Sequence, residues 1–148
     1  MRLVCLIHNH MTQTIHREKL TKLAQLNKPS AEYDIRRYEL HSSTVIPRQY
    51  ALFLLCSNGL CVYDDKKSLT LYALDELSEQ NKTYEVKEYL PGWLMIGDDG
   101  GGRGIFVKLD DDSAQPYLMG MGSMLMDEAR TLADNLCEWL EQGFPLDD

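Results

Sequence analysis

The chain has no apolar run approaching the ~20 residues that a membrane-spanning helix needs, so no membrane helix is expected. Its four cysteines (Cys5, Cys56, Cys61, Cys137) are scattered, and no two form a CxxC pair. That spacing argues against a structural zinc site and against a disulfide framework. Free thiols in a reducing compartment are the expectation. No GxSxG elbow is present to expose a serine nucleophile, and no cysteine sits in a nucleophile motif. Repeats, linkers and low-complexity tracts are missing too. The opening MRLVCLIHNH has a single basic residue and an apolar stretch too short for a secretory leader, so the expected location is cytoplasmic. The sequon Asn81, Lys82, Thr83 therefore lacks the export context that would give it meaning.

What is present is ordinary for a globular protein: 148 residues, 44% apolar and 26% charged. A chain of that length forms one domain and buries roughly two-thirds of its unfolded surface without staples. The net charge of −8 is unevenly spread. Residues 1–50 hold eight Lys and Arg against four Asp and Glu, a balance of +4; residues 51–148 hold seven against nineteen, a balance of −12. Such an acidic surface repels nucleic-acid phosphates and suits a basic protein partner. Charge for solubility alone is the plain alternative, and composition does not separate the two.

Periodicity outlines the elements. Residues 3–7 read as a short strand, and Thr14 is placed to cap a helix reaching about Leu26, with Leu20, Leu23 and Leu26 inward. Residues 31–40 and 47–57 give two further helices, the second closed by Asn58 and Gly59. Residues 60–63 and 69–72 alternate as strands around a polar loop holding Asp64 and Asp65. One or two helical turns fit residues 75–80. Strands are expected at 93–96, 105–109 and 116–119. The strongest pattern is a final helix capped by Ser123, with Leu125, Ala129, Leu132, Leu136, Trp139 and Leu140 in one stripe, Gly143 as its C-cap and Pro145 beyond. The fold class is α+β: a central, mostly antiparallel sheet with packed helices in a single domain.

The segment IGDDGGGRGIFV at residues 96–107 invites a nucleotide reading, since Gly97, Gly102, Arg103 and Gly104 approach a phosphate-binding loop. Three features oppose it. A strand-like IFVKL follows where a helix N-terminus should supply amides and dipole. Arginine stands in place of the lysine. Gly104 replaces the hydroxyl residue that would hold magnesium. The dinucleotide pattern GxGxxG fails as well, because Ile105 or Val107 occupies its third glycine. A turn between two strands, with glycine supplying positive φ, is the better reading, and Arg103 is then an exposed turn residue.

Calcium chemistry is no better supported. The twelve-residue windows from Asp98 and Asp110 end on Leu109 and Met121 rather than a bidentate glutamate. A solvated acidic rim on two neighbouring turns, Asp98 with Asp99 and Asp110 with Asp111 and Asp112, is the favoured interpretation. His8, Asn9 and His10 spell a nuclease motif by coincidence, and a metal held by His8, His10 and His16 is disfavoured against an exposed strand end. Met119, Met121, Met124 and Met126 read as core filler rather than an adaptable binding surface. Trp139 is a core residue, as is Trp93, with an interface anchor as the latter's alternative.

Five short segments together resemble the SUKH superfamily. They are IRRYE at 35–39; IPRQY at 46–50 with Phe53, Leu54, Asn58 and Gly59; and LYALDEL at 71–77 with Asn81 and Tyr84. The fourth is Pro91 and Leu94 leading into IGDDGGG at 96–102 with Ile105, and the fifth is ADNLCEWL at 133–140. The terminal segment departs from the family, with Asn135 and Leu136 where Ser and Phe are usual. The resemblance covers residues 33–142. It implies an SUKH-like domain at 33–148 carrying an N-terminal extension at 1–32, a strand plus helix packed on the domain. It implies an α+β fold and no catalytic residues, because the shared positions (Pro47, Asn58, Gly59, the glycine turn, Trp139) look like fold positions.

The superfamily contains bacterial immunity proteins that neutralise toxins, often nucleases, and fungal regulators of cell-wall synthesis. The functional expectation is a non-catalytic binding protein, an immunity protein for a basic toxin domain, without cofactor or metal. A regulatory scaffold is the alternative, and a nucleotide-binding enzyme a distant third. The expected partner-binding residues are Asp98, Asp99, Asp110, Asp111, Asp112, Asp64, Asp65 and Trp93.

Overall fold

The computed structural model describes residues 15–146 except 64–66. The expected strand at 3–7, the Thr14 cap, His8, His10, Asp64 and Asp65 lie outside the described residues. Within them are six α-helices and a seven-stranded sheet whose strands follow one another in chain order, each antiparallel to the next. The fold class is α+β, as expected from the sequence.

The chain opens with α1 (Arg17–Thr21) and the edge strand β1 (Gln25–Leu26). The sequence pattern called for one helix through to Leu26. Instead, Gln25 and Leu26 pair with Cys61 and Leu60, and this ladder ends the helix after five residues. Two helices follow, α2 (Glu32–Ser42) and α3 (Arg48–Cys56), close to their expected positions. The strands β2 (Leu60–Tyr63) and β3 (Ser68–Leu71) form the hairpin foreseen from their alternation.

The helix α4 (Leu74–Thr83) is longer than the one or two turns expected. A distant residue caps it: Asn58 Oδ1 accepts the Leu74 amide at 2.9 Å. A single turn, α5 (Val86–Tyr89), then leads into the central hairpin of β4 (Trp93–Asp98) and β5 (Arg103–Lys108). Met95, Ile96, Ile105, Phe106 and Val107 are completely buried there, each worth about 1.5–3 kcal/mol of burial.

The last part of the chain corrects the strongest sequence pattern. After β6 (Tyr117–Gly120) there is no long helix from Ser123. A 3-10 turn (Met126–Glu128) is followed by β7 (Arg130–Thr131), which pairs with Leu118 and Tyr117. Only α6 (Leu136–Glu141) is helical, and its cap is Asn135, whose Oδ1 accepts the Glu138 amide at 2.8 Å. Strand pairing for residues 130–131 outcompetes a helical stripe that is real only from Leu136 onward. Met119, Met121 and Met124 are buried, whereas Met126 is exposed. Trp139 is fully buried, and its indole N–H donates to the Pro145 carbonyl at 2.8 Å.

Candidate functional site

The glycine stretch connects β4 to β5 as a hairpin turn, with Gly100 and Gly102 at φ 76° and 100°. The amides of Gly100, Gly101 and Arg103 are already occupied. Asp98 Oδ1 accepts the Gly100 amide at 2.9 Å, and Asp99 Oδ1 accepts those of Gly101 and Arg103 at 2.8 and 3.0 Å. The Arg103 Nε–H donates to Asp99 Oδ2 at 2.8 Å, so the residue expected to be an exposed turn arginine is partly exposed, its side chain 43% accessible, and ion-paired. The Tyr72 hydroxyl donates to the remaining oxygen of Asp98 at 2.5 Å. The protein's own carboxylates therefore take three of the turn's amides and the Arg103 Nε–H, donors that a phosphate would need. Burial raises the Asp99 pKa, but the amides of Gly101 and Arg103 and the Arg103 guanidinium outweigh it and hold the carboxyl below its ordinary value.

The second acidic group lies at the other end of β5. Six residues of strand separate the two by about 20 Å, so they are not neighbouring turns. Asp111 accepts the Ser113 amide and hydroxyl at 3.0 and 2.7 Å and the Gln115 amide at 3.1 Å. Burial raises its pKa, yet these bonds, with the Lys108 charge, hold it below the ordinary value. Asp112 pairs with Arg48 at 3.3 Å beside the start of α3. Asp110 is exposed.

Near Asp110 stands Trp93, 8% exposed. Its ring meets Tyr117 edge-on at 4.9 Å between centroids, and Lys108 Nζ lies 5.4 and 5.5 Å from the two rings. Trp93 and Asp110 share a groove of about 790 Å³, which brings together two of the eight expected site residues. Asp98 and Asp99 are at the far end of the sheet; Asp111 and Asp112 do not line the groove.

The groove exists because the sheet is incomplete. Along β4, β3 pairs only with Gly97 and Asp98, so the first half of β4, held by β5 on one edge, has no strand on its β3 side. The Asn81 side chain substitutes for one residue of strand: its Nδ2 donates to the Met95 carbonyl at 2.8 Å, and its Oδ1 accepts the Met95 amide at 2.9 Å. The end of α2 forms one wall through Ser43, Thr44 and Val45, with Ser43 turned away at φ 55°. The opposite wall is the α4–α5 junction, where Glu85 at φ 53° turns the chain. Trp93 and Leu94 lie between them, Val45 is 73% exposed, and Lys82, Glu85, Lys87, Glu88 and Asp110 supply the charge. Sequence reading missed Asn81 as the organiser, since an asparagine on a helix face carries no signal of a strand residue 14 positions further along the chain. It also missed Val45, Glu85 and Glu88.

Among the described residues, no three His, Cys, Asp or Glu side chains are placed to hold a metal. No described helix is long and apolar enough to cross a membrane. Cys56, Cys61 and Cys137 are free thiols, and burial pushes Cys137 up to about 12. In comparison with known proteins, residues 29–142 match the family model described as SMI1 / KNR4 family (SUKH-1). No curated protein matches the chain.

Proposed function

The chain belongs to the SMI1 / KNR4 family (SUKH-1), and from that membership we propose that it is a non-catalytic, cytoplasmic immunity protein that binds and masks a basic toxin domain. The observation that carries the reading is the groove beside β4, apolar within and charged at its rim. Leu94, Val45 and the Trp93 edge offer a seat for an apolar anchor of the partner. Among its lining charges, Glu85, Glu88 and Asp110 outnumber Lys82 and Lys87, in a chain of net charge −8. A basic surface is drawn to such a rim by steering, and its lysines or arginines then meet the three carboxylates. Asp110 and Trp93 are the proposed contact residues; Asp98, Asp99 and Asp111 serve the fold through the bonds they accept.

The test is co-expression with any toxin domain found encoded beside this chain. The natural chain is expected to restore growth, and the Glu85→Lys, Glu88→Lys, Asp110→Lys variant to fail while keeping its melting temperature. Full rescue by the folded variant removes the groove from the reading. Tight binding of a cellular protein by this groove, with no toxin neutralised, favours the regulatory scaffold instead.

A further inference from the structure

The helix α2 buries little of itself: Ile35 is its one buried residue, with Tyr38 half-buried beside it. Its outer face carries more apolar surface than that. Tyr33 is 67% exposed and Leu40 is 80% exposed. At 3.6 residues per turn, Tyr33, Arg36, Arg37 and Leu40 fall within about 100° of one another, opposite Ile35, Tyr38 and Ser42. The two apolar side chains stand seven positions apart, about 10 Å along the axis. A surface helix ordinarily turns its apolar stripe to the core, so a stripe turned outward marks an interaction surface.

We propose that the outer face of α2 docks an acidic, amphipathic helix of another protein. Large apolar residues seven apart on that helix meet Tyr33 and Leu40, and carboxylates between them meet Arg36 and Arg37. Charge selects this occupant. Both arginines are exposed between the two apolar side chains, and the Arg37 guanidinium lies 5.7 Å from the Tyr33 ring centroid. Among the described residues, no carboxylate pairs with either arginine. A second copy is a poor fit. Two α2 helices laid antiparallel about a two-fold axis would set Tyr33 against Leu40 but Arg36 against Arg37, gathering four guanidinium groups that repel. An anionic membrane is a poor fit too, since the stripe holds two cations in a chain of net charge −8. Tyr38 and Ser42, on the helix's other side, line the groove beside β4. Docking on the outer face leaves that groove open, and the two assignments stand or fall separately.

Two synthetic peptides test the proposal against the full-length chain, by fluorescence anisotropy at low salt. Both are alanine-rich helices of about fifteen residues with a pair of leucines seven apart. One carries two glutamates between the leucines, the other two lysines. The glutamate peptide is expected to bind at least about tenfold more tightly than the lysine peptide. The double change Arg36→Glu, Arg37→Glu should reverse that preference. Tyr33→Ser with Leu40→Ser should weaken the glutamate peptide at least about tenfold. All four side chains are exposed, so both variants should keep the natural melting temperature. Equal affinity for the two peptides, binding of neither, or a preference that survives the arginine change overturns the proposal. Undiminished binding by the Tyr33, Leu40 variant overturns it as well. So does binding to phosphatidylserine vesicles that the arginine change abolishes, which identifies a membrane as the occupant. A dimer in sedimentation that the Tyr33, Leu40 variant loses overturns it in favour of a second copy.

Discussion

Gly97 faces the β3 backbone so closely that a Cβ there would stand 2.3 Å from the Thr70 carbonyl oxygen. The register shift between Met95 and Gly97 falls at this approach, so the bulge and the glycine belong to one device. Gly97→Ala is expected to destabilise by about 1–3 kcal/mol or more in urea unfolding, since backbone must move. Asp99 makes a pH-dependent contribution. Its pKa in the folded chain lies below the ordinary 3.8, so the ionised form stabilises the fold above about pH 4. That stability is lost as pH falls through the folded value, and Asp111 behaves alike. Asp99→Asn should therefore be less stable than the natural chain at pH 7, and the gap should narrow below pH 4. A gap of the same size at pH 7 and pH 3 would show that the carboxylate charge is not what stabilises the turn.

Two asparagines tie separate elements together. Asn58, at the end of α3, caps α4 through Leu74, and Asn81, on α4, completes the hydrogen bonding of Met95 on β4. Asn81→Ala would leave the amide and carbonyl of Met95, a fully buried residue, without these partners. The expected cost is about 1–3 kcal/mol per unpaired group, together with faster hydrogen exchange at the Met95 amide. Unchanged exchange there would remove Asn81 from its bridging role. Asn58 and Gly59 were legible as a helix stop because they read locally, whereas the cap on α4 spans sixteen residues and leaves no local trace. The final helix was misread for a related reason. Leu125, Ala129 and Leu132 have helical spacing, but Arg130 and Thr131 meet β6, a pairing no window along the chain contains.

At the scale of the whole molecule, the charge of −8 acts through placement. At physiological salt the screening length is ~8 Å, so acids at opposite ends of β5 do not act as one patch. Association with a basic partner is expected to slow at least about tenfold from low salt to 0.5 M, and the triple lysine variant of Glu85, Glu88 and Asp110 to lose most of that dependence. Stopped-flow measurement checks it; the same salt slope in both proteins would place the steering charges elsewhere. The amino-acid sequence by itself determined the α+β class, the central strands and the turn nature of the glycine stretch, because alternation, helical spacing and positive-φ glycine are properties of neighbours along the chain. Tertiary structure alone decided that Asp99 is locked to Arg103, that the acidic turns lie apart, and that a groove opens where β3 stops short of the first half of β4. Those depend on which distant groups share space, and burial and hydrogen bonding settle that only once the chain has closed on itself.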